Sequence, residues 1–262
     1  MKILVTNDDG INNEGLWTLV EALNEVADVT VVAPDREQSG VAFSLSLGTP
    51  IKVHKHRFAL EGVPTYSVEG TPGDAVILGL AELAPDSELV VSGINQGHNT
   101  TNEILLSGTV GAALHARFRG LPAMAVSVFN LDSTNHRIGA VLAALIITKM
   151  EAGTIPMDIL LNVNIPQVEL DAIKSIEVTR LGRRSFTDKV EEKEDPRKRK
   201  QYFLIRGREN LDIGEGTDFG TLRENKISLT PIDNFLSTIQ EPLITPAVCQ
   251  ELFQELKDKL LL

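Results

Sequence analysis

Cysteine is almost absent. Cys249 stands alone in 262 residues, which excludes an intramolecular disulfide framework. No metal-ligand spacing surrounds it, and it reads as a packed core thiol. Long apolar runs are also missing. The longest, Ala140 to Ile147, is too short to span a bilayer, so no membrane association is expected. Met1-Lys2 leads into only a few apolar residues before Thr6-Asn7-Asp8, so no signal peptide is expected and the chain reads as cytoplasmic. Basic excess is lacking as well. A net charge of −11 argues against a broad nucleic-acid-binding surface, and the Arg197–Lys200 cluster is preceded at once by acids. An acidic protein that handles phosphate has to invert its local field, and a bound divalent cation does that.

What is present is a soluble globular composition, 42% hydrophobic and 23% charged, at a length that can bury a sizeable core. The chain is organised around Leu4-Val5-Thr6-Asn7-Asp8-Asp9-Gly10. An apolar run breaks there into two adjacent carboxylates and a glycine, the pattern of a buried strand that ends in a turn. Ligands of open α/β sheets collect at the carboxyl ends of strands. Two carboxylates side by side repel each other, and a hard cation held by oxygen ligands, Mg²⁺ or Mn²⁺, relieves this. Asp-Asp-Gly is equally ordinary turn chemistry, so the metal reading needs partners elsewhere in the chain.

Those partners come from later strand ends. Leu16, Leu19, Val20 and Leu23 repeat at helical spacing, and Val29 to Ala33 follows as a strand; strand, helix, strand is a βαβ unit of a parallel sheet. The second strand ends in Pro34-Asp35-Arg36-Glu37-Gln38-Ser39-Gly40, which places Ser39 or Asp35 within reach of the same edge. Residues 41–69 read as a strand-rich excursion whose His54 and His56 lie on a solvated basic face. Thr71-Pro72-Gly73-Asp74 reads as a capped helix start. Leu89-Val90-Val91 ends in a Gly-rich loop carrying Asn95, a neutral oxygen donor for a cation, and His98, a lone loop histidine. Ser107-Gly108-Thr109 opens a helix of small residues, whose free N–H groups and dipole suit an anion, although close helix packing would use the same residues. Strands at 123–128 and 159–163 enclose a helix at 135–150. A charged, solvated loop or hairpin arm at 182–201, strands at 202–205 and 226–231, and an apolar helix from Thr245 complete the pattern.

Several of these motifs, in order, resemble the SurE family of metal-dependent nucleotidases. They are Thr6-Asn7-Asp8-Asp9-Gly10, Val32-Ala33-Pro34-Asp35-Arg36 with Ser39-Gly40, Gly70-Thr71-Pro72, Ser92-Gly93-Ile94-Asn95 and Ser107-Gly108-Thr109-Val110-Gly111-Ala112-Ala113, with weaker echoes at Leu161-Asn162-Val163-Asn164, Gly216-Thr217-Asp218-Phe219 and Ile227-Ser228-Leu229-Thr230-Pro231. The resemblance implies one divalent metal ion per subunit, Mg²⁺ or Mn²⁺, held by Asp8, Asp9, Ser39 and Asn95. It implies hydrolysis of nucleoside monophosphates, with Asp8, Asp9 and Asn95 catalytic and Asn95, Ser107, Gly108 and Thr109 on the phosphate. It further implies a homodimer or tetramer that exchanges its C-terminal arm. The chain departs from the family pattern between Asn99 and Leu106: Thr101 stands where a flexible glycine is usual, and Leu106 where an aromatic residue is usual. Leu106 directly precedes the proposed phosphate site, so the difference bears on substrate preference.

The expected fold is a three-layer, doubly wound, mostly parallel α/β sheet of Rossmann-like type. Residues 1–170 are expected to form the metal- and phosphate-binding core. Residues 171–262 are expected to form an extension used in oligomerisation within the same structural domain. Two rival chemistries fit parts of the pattern. One is a phospho-aspartyl intermediate, which usually needs its two Asp residues one position apart rather than adjacent. The other is a non-catalytic metal- and nucleotide-binding sensor, supported by the altered 100–106 segment.

Overall fold

A computed structural model describes residues 1–56, 60–129, 133–186, 189–205, 209–211, 214–232 and 244–260. The first apolar run forms β1 (Lys2–Thr6). Helix α1 (Glu14–Asn24) follows, started by the Asn13 side chain, which accepts from the Gly15 N–H. Its apolar spacing buries Leu16, Leu19, Val20 and Leu23 on one face, each contributing roughly 1.5–3 kcal/mol by leaving water. Next come β2 (Asp28–Pro34), β3 (Val53–His56) and β4 (Thr65–Val68). Helix α2 (Pro72–Leu78) begins with a full capping box: Thr71 accepts from the Asp74 N–H, and Asp74 accepts from the Thr71 N–H. The expected helical stripe continues past Leu78 only as a wider turn over Gly79–Leu83.

The chain then runs through β5 (Leu89–Gln96), α3 (Gly108–Arg117), β6 (Ala123–Val128), α4 (Ser133–Glu151) and β7 (Leu160–Ile165). The later part adds β8 (Ile176–Val178), β9 (Arg184–Phe186), β10 (Lys189–Glu194), β11 (Lys200–Ile205) and β12 (Glu209–Leu211). It closes with α5 (Asp218–Arg223), β13 (Ile227–Ile232) and α6 (Pro246–Leu260).

Nine strands form one sheet in the order β3-β4-β2-β1-β5-β6-β7-β13-β8. From β4 to β7 every pairing is parallel. Strand β13 runs antiparallel to β7, and β3 antiparallel to β4. Side chains of α1, α4 and α6 pack on one face of the sheet, and those of α2 and α3 on the other. This is the three-layer, mostly parallel α/β architecture expected. Strands β8 and β13, both beyond residue 170, complete the main sheet, while β10 and β11 pair as a separate hairpin. The chain passes from β1 to β2 and β4 on one side, then returns to β5 on the other. The crevice at that reversal, outside the carboxyl ends of β1 and β5, is where open α/β sheets bind ligands.

Candidate active site

The turn after β1 sits at that reversal. Asn7 closes it: its Oδ1 accepts from the Gly10 N–H at 3.1 Å, and its Nδ2 donates to the Gly10 carbonyl at 3.0 Å. Gly10 lies at φ +95°, and a Cβ there would come within 2.8 Å of the Arg36 backbone, so only glycine fits. The loop after β2 is tied to the same turn, because Ile11 N–H donates to the Pro34 carbonyl at 2.8 Å and Gln38 N–H to the Asp8 carbonyl at 2.7 Å.

Asp8 is buried, and its side chain lies at the start of α3. Thr109 Oγ1 donates to Asp8 Oδ1 at 2.5 Å, and the backbone N–H groups of Gly108 and Thr109 donate to the same carboxylate. A Cβ on Gly108 would stand 2.9 Å from Asp8 Oδ2; the missing side chain is what lets the carboxylate reach the helix. The anion site expected at this helix start therefore receives Asp8 itself, in the positive end of the α3 dipole. Ser107 serves as N-cap, its Oγ accepting from the Val110 N–H at 3.1 Å.

Asp9 is half-buried and accepts from the Gln96 N–H at the end of β5. Its Oδ2 is buried without a hydrogen-bond partner. Asn95, one residue earlier, donates through Nδ2 to the Gly97 carbonyl at 2.7 Å, so its Oδ1 is the atom available to a cation. Ser39 follows Gln38 but is exposed, with its Oγ donating to Glu37 at 2.8 Å. Asp8, Gly108 and Thr109 are thus gathered by direct contact, with Asp9 next to Asp8 in the chain and joined to β5 through Gln96. Asn95 is joined through its neighbour Gln96, and Ser39 through its neighbour Gln38.

Electrostatics make this pair unstable as it stands. Burial raises the Asp8 carboxyl above its ordinary range, against the pull of Thr109 and the helix amides. Burial, and then the Asp8 charge, push Asp9 up to about 7. Among the described residues no Lys or Arg forms an ion pair with either carboxylate, and no cluster of three or more His, Cys, Asp or Glu is present. Two crowded carboxylates, an unpartnered carboxylate oxygen and a neutral amide oxygen fit a hard divalent cation. Such ions take few protein ligands and complete their shell with water or phosphate.

Residues 3–188 match the family model described as Survival protein SurE. The chain belongs to the SurE family. It is 42% identical over 234 residues to 5'-nucleotidase SurE of Aeromonas hydrophila, covering 88% of this chain and 92% of that protein. It is 41% identical over 254 residues to 5'-nucleotidase SurE of Dehalococcoides mccartyi, covering 94% and 92%. The crystal structure of the SurE protein from Aquifex aeolicus superposes with a TM-score of 0.74 at 35% identity, covering 89% of this chain and 94% of that one.

In this SurE-family chain Asn99, beyond β5, is held by side chains of β6 and β7, among them the two asparagines of the Leu161-Asn162-Val163-Asn164 echo. Asn99 N–H donates to Asn164 Oδ1 at 2.9 Å, Asn99 Nδ2 reaches Ser127 Oγ at 2.9 Å, and Asn162 and Asn164 both donate to the Asn99 carbonyl. Asparagines at alternate positions of an otherwise apolar strand were the available clue. Thr101 adopts φ +58°, the left-handed region that favours the glycine usual in the family, at a cost of about 1–2 kcal/mol. His98 is half-buried: its Nε2 lies 2.6 Å from the Ile165 carbonyl, and burial lowers its pKa below the ordinary imidazole value. Cys249 is buried, and its thiol is pushed up to about 11, in keeping with an inert core residue.

Proposed function

We propose that this SurE-family chain is a nucleotidase, a phosphoric monoester hydrolase that releases phosphate from nucleoside monophosphates. The observation that carries the reading is the Asp8–Asp9 pair at the sheet's reversal, held against the start of α3 with an uncompensated charge. Full-length relatives named 5'-nucleotidase at about two-fifths identity support the same chemistry.

In this reading Asp8, Asp9, Ser39 and Asn95 hold one Mg²⁺ or Mn²⁺ per subunit. Once bound, such an ion supplies Lewis-acid polarisation of the phosphoryl group and eases deprotonation of the attacking water. Asp8, immobilised by Thr109 and two helix amides, acts as a fixed ligand. Asp9, the less buried carboxylate and the one with an oxygen free of protein partners, takes the water's proton. The Ser107 hydroxyl, whose hydrogen its cap leaves unused, and the second hydrogen of the Asn95 amide steady charge on the equatorial phosphoryl oxygens, while Gly108 and Thr109, whose donors are taken by Asp8, act on the phosphate through that ligand. Ser39 joins by turning from Glu37 toward the ion.

The same reading makes residues 1–170 the catalytic part and gives residues 171–262 an assembly role. The β10–β11 hairpin exposes Val190 (61%) and Tyr202 (63%), apolar surface that exchange between subunits of a homodimer or tetramer would cover. No helix among the described residues is long and apolar enough to cross a membrane, and we place the enzyme in the cytoplasm. A panel of 5'- and 3'-nucleoside monophosphates, assayed for phosphate release with Mg²⁺, Mn²⁺ or EDTA, tests the reading. Many phosphates released per chain with metal, and none in EDTA, is the expected result. Binding without turnover would establish the sensor instead.

A further inference from the structure

The geometry points to Asp218, in the C-terminal extension, as a positioning residue that fixes the loop delivering Gly108 and Thr109 to the Asp8 carboxylate, and through it sets the phosphate's site. This inference rests on the nucleotidase reading of the same site. Asp218 is completely buried, and backbone N–H groups from separate segments meet its carboxylate. Thr101 N–H donates to Oδ2 at 2.6 Å, while Gly182 N–H and Phe219 N–H donate to Oδ1, each at 2.8 Å. A single side chain thereby joins the extension to the segment running from Asn99 to Leu106.

That segment leads straight into the site. Thr101 starts a tight helical turn over Thr101–Leu106, the Ser107 N–H closes it on the Ile104 carbonyl, and the N–H groups of Gly108 and Thr109 then meet the Asp8 carboxylate. At φ +58° the threonine is not held in place by its own conformational preference. Its N–H needs a strong acceptor to set the turn, and a buried carboxylate is one. Upstream, Asn99 is clamped to β6 and β7 through Ser127, Asn162 and Asn164. The loop is therefore gripped at residues 99 and 101 and released into α3, so that Asp218 acts through the loop rather than on the substrate.

Asp218→Asn isolates this function. An asparagine keeps one acceptor oxygen and turns an NH₂ to the other side. The oxygen satisfies more donors facing Gly182 and Phe219, which leaves the NH₂ opposite the Thr101 N–H. The extension stays bound while the loop loses its grip. The expected result is a rise in KM for AMP with kcat/KM down on the order of tenfold or more, the scale of a small misplacement near reacting atoms. A purely structural role would remove active molecules, lowering Vmax at unchanged KM. Thr217→Val serves as control: it removes the α5 N-cap, where Thr217 accepts from the Gly220 N–H, and leaves the carboxylate, so KM stays at the wild-type value. Unchanged KM in a folded Asp218→Asn protein overturns the proposal. An inactive wild type assayed alongside counts against the nucleotidase reading instead. Should Asp218→Asn fail to fold, amide exchange in wild type decides. Inorganic phosphate with Mn²⁺ should slow exchange in peptides covering 99–106 and 179–182 together, and protection confined to 99–109 overturns the proposal.

Discussion

Asp9 offers the sharpest handle on the site. Its carboxyl rises from 3.8 to about 7, first through burial and then through the Asp8 charge. A carboxyl whose folded pKa is raised costs stability as pH climbs. Below about pH 4 folded and unfolded chains are both protonated, and the loss accumulates from there to about pH 7, where it is complete. At about 1.36 kcal/mol per pH unit the displacement corresponds to about 4 kcal/mol. Solvent reaches this half-buried group, and screening reduces the figure to about 2 kcal/mol. Asp9→Asn removes the charge with little change of shape. In chelator-treated protein, wild type should therefore lose about 1.3 kcal/mol relative to Asp9→Asn between pH 5 and pH 8, the first third of the loss lying below pH 5, a divergence of roughly 3 °C in Tm for a chain of this length. Mg²⁺ or Mn²⁺ should stabilise wild type more at pH 8 than at pH 5 and the variant hardly at all. Thermal and urea unfolding across that range, with and without EDTA, measures every curve. Parallel pH curves for the two metal-free proteins would refute the argument from crowded carboxylates.

Thr109→Val removes the hydroxyl that donates to Asp8 Oδ1. With one fewer donor the Asp8 carboxyl rises further, so kcat/KM should fall about tenfold or more, the scale of a lost charge-assisted hydrogen bond, and the acid limb of the pH–rate profile should move to higher pH; an unmoved limb contradicts this. Gly108→Ala sets a methyl 2.8 Å from Asp8 Cβ, and displacement of the carboxylate should cost on the order of a hundredfold in kcat, with near-native circular dichroism. Leu252→Ala empties a fully buried position where α6 meets the core and should cost about 2–5 kcal/mol in urea unfolding without altering KM. A changed KM would mean that α6 reaches the site.

The parallel half of the sheet could be read from local patterns, because each buried strand is a short apolar run and each crossover helix carries its own stripe. The Thr71–Asp74 capping box and the Asn7–Gly10 turn were legible for the same reason: their partners lie within three residues. Long-range pairing was not. Nothing near Ile227–Ile232 says that this strand inserts antiparallel beside β7 and seats β8 at the sheet's edge. The carboxylate pair was readable, and so was the small-residue helix start. That Gly108 and Thr109 grip Asp8, and that Asp218 reaches Thr101 across 117 positions, follows only from the folded chain. Thr101 carried a faint signal, a β-branched residue where the family has glycine, without indicating what compensates it.

The most direct test of the account is a Mn²⁺-soaked crystal measured for anomalous scattering. One strong peak per subunit is expected, ligated by oxygens of Asp8 and Asp9 with Asn95 beside them, and it should vanish in Asp8→Asn. A peak elsewhere, or one undiminished in that variant, would contradict it.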